Sequence, residues 1–145
     1  MENYMKLEIA ARSENESFAR SAVAAFALTL NPSLSELSDV KTAVSEAVTN
    51  CIVHAYSHRG EKEKIVIDCL AEKTKEGGVL HIAVEDFGKG IEDVEQALSP
   101  FFTTLEDEER SGMGFTIMQT FMTEFSVKSE LGKGTRIEMK KKIGA

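Results

Sequence analysis

Val79-Leu80-His81-Ile82-Ala83-Val84-Glu85-Asp86-Phe87-Gly88-Lys89-Gly90, residues 79–90, holds the pattern that decides the fold. Over 79–86 the chain alternates. Leu80, Ile82 and Val84 share one face of a strand, while His81, Ala83 and Glu85 share the other, because successive side chains of an extended chain point to opposite sides. One face is apolar and one is wet, so the sheet is covered on one side only, which implies two layers. Asp86 is in phase with the apolar set, and its carboxylate is expected to point between the sheet and its covering helices. Glycines at i+2 and i+4 then let the backbone approach something closely. Two readings fit this D-x-G-x-G run. It is a strand end with Asp86 capping the next helix, or a site where a buried carboxylate accepts from an exocyclic amino group such as that of adenine.

Working outward, residues 64–71 predict the preceding strand, joined to 79–86 by the turn Lys73–Gly78. Residues 4–11 alternate too, with Met5, Leu7 and Ile9 on one face. Ser13 with Glu16 has capping-box spacing, and Phe18, Ala22, Ala25 and Phe26 follow as the expected apolar stripe of a helix. Ser33 with Glu36 opens a longer helix whose stripe is Leu37, Val40, Val44, Val48, Cys51 and Ala55, ending near Tyr56 before Ser57-His58-Arg59-Gly60. A short acidic helix is predicted over 92–98, an irregular stretch over 99–111, and a helix over 114–124 with Phe115, Met118, Phe121 and Met122 inward. A hairpin of 125–130 and 135–142 closes the chain, turning at Leu131–Gly134. The predicted order is βα α ββ α α ββ. This is an α+β sandwich of two layers, a mixed but mostly antiparallel sheet covered by helices on one face.

The whole chain bounds the function. Its 145 residues fit a single domain, 1–145, with enough chain for a real core. A net charge of −7 speaks against direct DNA binding or an acidic membrane surface. No apolar run approaches the roughly 20 residues of a membrane span, and the N-terminus lacks a signal-peptide pattern, so a cytoplasmic protein is expected. Cys51 and Cys69 are then expected to be reduced, partly buried thiols.

Three further groups carry chemistry. Glu46, Asn50 and His54, four residues apart, line one face of the long helix, opposite Val44, Val48 and Cys51. Such a face is ordinarily solvated, yet its neighbours are Ala43, Ala47, Thr49 and Val53. A helix apolar nearly all round is covered on both sides, and its carboxylate and carboxamide then need a partner, for which a ligand with a metal is one candidate. Arg110-Ser111-Gly112-Met113-Gly114-Phe115 is either a plain glycine-bearing helix entry or an anion site, where unpaired N–H groups and the Arg110 fork suit phosphate. Gly132-Lys133-Gly134-Thr135 is a hairpin turn, with the Thr135 hydroxyl facing inward toward a base edge or Asp86. Between these groups, Ser99–Leu105 with Glu106–Glu109 is a ligand lid or a surface loop.

The order E-x-x-x-N, D-x-G-x-G, lid, G-x-G and G-x-G-T resembles the N, G1, G2 and G3 boxes of the GHKL superfamily, whose fold is the Bergerat sandwich. Within that superfamily, SEAVTNCIVHAY, FFTTLEDEERSGMGFTIM and ARSENESFAR resemble the anti-sigma-F family of spore-forming bacteria. The resemblance implies ATP or ADP with Mg²⁺ as cofactors. It implies Glu46 as general base, Asn50 as the Mg²⁺ ligand, and Asp86 as acceptor from the adenine amino group, with Thr135 nearby. Gly88 and Gly90 border the nucleotide. Thr103, Thr104, Arg110, Gly112 and Gly114 contact or cover the phosphates, and Arg20 faces protein partners. It further implies a homodimer, a sigma factor of the sigma-F type as partner, and an anti-anti-sigma protein phosphorylated on serine. His54 then reads as structural. Three readings stand: a serine kinase, for which a base at position 46 has a proton to take, a nucleotide-gated sigma-binding module with little or no turnover, or a plain α+β scaffold that binds no nucleotide.

Overall fold

The computed structural model describes residues 2–55, 63–91, 93–98 and 114–144. The elements are β1 (Glu2–Ala10), α1 (Glu14–Ala27), α2 (Leu34–Asn50), β2 (Lys64–Thr74), β3 (Gly77–Asp86), α3 (Val94–Leu98), α4 (Gly114–Phe121), β4 (Glu124–Glu130) and β5 (Gly134–Ile143). This is the predicted order. The sheet runs β1-β2-β3-β5-β4, and all four neighbouring pairs are antiparallel. Helices α1, α2 and α4 supply the buried residues that face it.

Alternation in β3 gives most of the expected split: Leu80, Ile82 and Val84 are buried and His81 and Glu85 half exposed, but Ala83, expected on the wet face, is buried too. Ile65, Ile67, Ile137 and Met139 join them from the neighbouring strands. On the wet face Arg136 of β5 lies 3.2 Å from Glu85 and 2.9 Å from Glu138, with Asp68 at 3.9 Å. Opposite charges side by side on adjacent strands are mutually stabilising.

The long helix starts as expected. Ser33 accepts from the Glu36 N–H at 3.1 Å and Glu36 accepts from the Ser33 N–H at 2.8 Å, a complete capping box. Val40, Ala43, Val44, Ala47 and Val48 are buried. Beyond Asn50 the helix widens into a π turn, Cys51–Ala55; such turns occur often at functional sites. Tyr56 and the turn 57–60 lie outside the described residues, as does the predicted lid within 99–111.

Two expectations for α1 are corrected. Ser13 makes no side-chain cap. Glu16, its expected partner, instead accepts from the Ser45 hydroxyl of α2 at 2.9 Å and pairs with Arg20 at 3.3 Å. The buried stripe is also rotated by one position: Ala19, Val23, Ala24 and Ala27 face inward, while Phe18 is 54% exposed and Ala25 is exposed. Small residues let α1 and α2 approach closely, whereas a phenylalanine at that contact would hold them apart. Other boundaries shift slightly. β2 and β3 run on to a two-residue turn at Lys75 and Glu76, α3 begins at Val94, and α4 ends at Phe121.

Candidate functional site

Asp86 ends β3 as the one buried carboxylate residue among the described residues, 5% exposed. Its Oδ1 accepts from the Gly88 N–H at 3.0 Å and the Thr135 N–H at 3.2 Å. Burial pushes the Asp86 carboxyl above its ordinary value, and these donors pull against that rise. Burial, then the neighbouring Asp86 carboxylate, pushes the Cys51 thiol well up. Burial and the Asp68 charge push Cys69 up to about 12. Both cysteines are free and buried, more deeply than expected.

The loop after Asp86 and the β4–β5 turn are stitched together. Gly132 N–H donates to the Lys89 carbonyl at 2.7 Å, and Ile91 N–H donates to the Ser129 hydroxyl at 2.7 Å. Ser129 Oγ also lies 3.0 Å from the Gly134 carbonyl and 2.9 Å from Thr135 Oγ1. Ser129 has one proton, and the Gly134 carbonyl takes it, so the Thr135 hydroxyl donates to Ser129. Thr135 thus reaches Asp86 through its backbone N–H, while its hydroxyl turns to Ser129. The crossing is tight: a Cβ on Gly90 would lie 2.3 Å from the Glu130 carbonyl oxygen, and one on Gly134 2.2 Å from that of Asp86. Both glycines sit at positive φ, +77° and +125°, where a side chain is strained as well as crowded.

Glu46 and Asn50, one turn apart on α2, converge on the first residue of α4. A Cβ on Gly114 would lie 3.4 Å from both Glu46 Oε1 and Asn50 Oδ1. A carboxylate, a carboxamide oxygen and the N-terminus of a helix therefore share one spot. The next residue, Cys51, opens the π turn and is buried in the core. Glu46 also lines an open groove of about 490 Å³ between α1 and α2, together with Arg20, Lys41 and Ser45.

Of the residues singled out in the sequence, Asp86, Gly88 and Thr135 meet at one place, and Glu46, Asn50 and Gly114 at another. Gly90 lies against the hairpin turn, and Arg20 on the groove. Thr103, Thr104, Arg110 and Gly112 lie outside the described residues. Sequence reasoning passed over Ser129 as a site residue. Counting strand partners outward from the turn puts Ser129 opposite Thr135 and Thr135 opposite Asp86, so Ser129 was within reach of a pairing argument.

A one-sided antiparallel sheet, with an acid at a β-strand end and an acid–amide pair on the covering helix, is the arrangement of an ATPase-type sandwich. A family model described as "Histidine kinase-like ATPase domain" matches residues 9–141. An anti-sigma F factor of Caldanaerobacter subterraneus subsp. tengcongensis is 54% identical over 142 residues, covering 98% of this chain and 95% of the relative. That of Clostridium novyi is 55% identical over 142 residues, with 97% and 95% covered. Among solved structures, the RsbU and RsbW domains of a Mycobacterium tuberculosis protein align over 97% of this chain and 32% of theirs, with TM-score 0.67 and 15% identity. The catalytic domain of histidine kinase ThkA aligns over 95% and 94%, with TM-score 0.52 and 16% identity; at such identities only the fold is shared. The chain belongs to the histidine kinase-like ATPase family, in its anti-sigma F factor branch.

Proposed function

We propose that this chain is an ATP-dependent protein serine kinase that binds and inhibits a sigma factor of the sigma-F type and phosphorylates an anti-anti-sigma protein on serine. The reading takes 1–145 as one domain, cytoplasmic and homodimeric, without direct DNA or membrane contact. The observation that carries it is the meeting of Glu46 and Asn50 of α2 at Gly114, the first residue of α4. The donor set fits a magnesium nucleotide. Asn50 Oδ1 is a hard oxygen of the kind Mg²⁺ accepts beside phosphate and water, and the buried Asp86 carboxylate has acceptor capacity left for an amino group. When bound, Mg²⁺ neutralises charge on the phosphates.

This chain's residues then divide the work. Asp86, supported by the Thr135 N–H, holds the adenine amino group, with Gly88 and Gly90 in the adjoining loop. Gly114 opens α4 toward the phosphates, where Thr103, Thr104, Arg110 and Gly112 cover them, Arg110 supplying a fixed positive charge. Glu46 takes the proton from the attacking hydroxyl. A histidine acceptor is nucleophilic without such help, so a base here favours serine. Arg20 meets the protein partners; its sharing a groove with Glu46 supports a path from partner surface to base. The relatives named anti-sigma F factors support the sigma-factor partner. A homodimer through the first strand fits the place of β1 at the edge of the sheet. Incubation with labelled ATP, Mg²⁺ and an anti-anti-sigma protein tests the proposal. Labelled phosphoserine on that protein is the expected result, and its absence with active substrate protein overturns the kinase assignment.

A further inference from the structure

Strand β5 sends Ile137, Met139 and Ile143 into the core, and alternation puts Lys141 on the same inward face. A cation at such a position needs acceptors. With 14% of its side chain exposed, Lys141 reaches two. Its Nζ donates to Asp39 Oδ2 of α2 at 2.9 Å and to the Phe121 carbonyl, at the end of α4, at 2.6 Å. The chain just beyond α4 is tied to the same stretch of β5. The Thr123 N–H donates to the Lys140 carbonyl at 2.8 Å, and the Lys142 N–H donates to the Thr123 hydroxyl oxygen at 3.0 Å. One end of α4 is thus fixed to β5 and, through Lys141, to α2. Its other end, Gly114, lies against Glu46 and Asn50 of α2. Gly114 and Phe121 are roughly two turns apart on α4, as Asp39 and Glu46 are on α2. The two helices therefore run side by side in opposite directions, and the bridge at one end sets where Gly114 rests at the other. A slip of α4 by one residue would move Gly114 by about 1.5 Å, roughly half a hydrogen-bond length.

We propose that Lys141 is a positioning residue for the phosphate end of the site: by bridging α4 to α2 it holds Gly114 in register with Glu46 and Asn50. The inference rests on the reading of that place as the seat of the phosphates. Lys141 acts there through α4, from the far end of the helix. Its signature is selective. Asp86 is held by the Gly88 and Thr135 N–H groups, neither of which belongs to α4, so the grip on the base is independent of the bridge. Losing a merely structural lysine weakens every ligand alike, whereas losing the bridge weakens only a ligand that carries phosphates.

The test is binding of ATP with Mg²⁺, by calorimetry, and of adenosine, which lacks the phosphates, by nuclear magnetic resonance titration, each to the full chain. Lys141→Met removes the donor and keeps the stem. Asp39→Ala releases the α2 end of the bridge and leaves Lys141 on the Phe121 carbonyl. One folded variant of the two suffices, with folding checked by thermal unfolding, and Asn50→Ala is the reference for the phosphate end. The wild type is expected to bind ATP more tightly than adenosine, and Asn50→Ala to lose roughly tenfold or more of that margin. Lys141→Met and Asp39→Ala are expected to weaken ATP about three- to tenfold, with less than about twofold change for adenosine. Equal losses for both ligands, or an unchanged margin beside a collapsed one in Asn50→Ala, overturn the role of Lys141 alone. An unchanged margin in Asn50→Ala, or no ATP binding by the wild type, overturns the reading of the site, and the proposal for Lys141 with it.

Discussion

Asp86 carries opposing demands on fold and ligand. An aspartate buried to this degree costs stability when charged, and burial is the first cause of its raised pKa. Below the ordinary carboxylate range both folded and unfolded chains hold this proton, and the site costs the fold nothing on that account. As pH rises through the elevated native pKa, the fold must hold a buried charge and loses stability relative to the unfolded chain. Asp86→Asn removes that charge while keeping the shape. It is expected to raise the thermal midpoint at neutral pH, with the gain shrinking on acidification, and to weaken ATP binding by about 1–3 kcal/mol. Thermal unfolding and calorimetry read the two effects separately. A lower midpoint together with unchanged affinity would contradict both halves.

At the scale of elements, α2 is the organising piece, and its placement depends on ties at its ends. Lys141 of β5, with 14% of its side chain exposed, donates to Asp39 Oδ2 of α2 at 2.9 Å and to the Phe121 carbonyl at the end of α4 at 2.6 Å. A cation at a helix C-terminus answers unpaired carbonyls there. Lys141→Met leaves both acceptors without this donor and is expected to cost about 1–3 kcal/mol in denaturant unfolding; a change within error would mean that water replaces it freely. The elements themselves are legible because their signals are local: alternation in β3, a capping box at Ser33, and a glycine-bearing hairpin turn, which is one residue shorter than expected because Gly134 pairs with Glu130. What was missed depends on contacts between elements. The Ser13 cap failed because Glu16 finds Ser45 and Arg20 across the α1–α2 contact. The Gly77-Gly78 pair looks like a loop by composition, yet it continues β3, because a Cβ on Gly78 would lie 2.7 Å from Leu30 Cδ2. Gly78 admits Leu30 and the Glu72 carbonyl, whereas Gly77, at φ +143°, lies where a Cβ would meet the Ile143 carbonyl oxygen at 2.1 Å.

For the whole molecule, the candidate site was legible as separate stretches whose meeting no single stretch reveals. Local spacing put Glu46 and Asn50 on one helix face, and phase put Asp86 inward. Only the antiparallel order β3-β5-β4 brings Thr135 and Ser129 to Asp86, and only the packing of α4 on α2 brings Gly114 to Glu46. The proposed division of labour makes binding and chemistry separable. Glu46→Gln is expected to lower phosphoryl transfer about 10²- to 10⁴-fold while ATP-dependent sigma binding changes little; equal loss of both, in a transfer assay and a pull-down, would make Glu46 structural instead. The central claim is that α2, β3 and the β4–β5 turn enclose one magnesium nucleotide. A crystal structure grown with Mg²⁺ and a non-hydrolysable ATP analogue tests it most directly. The account predicts the purine amino group at hydrogen-bond distance from Asp86 and the metal on Asn50 Oδ1. A nucleotide bound elsewhere, or one that touches neither residue, would contradict it.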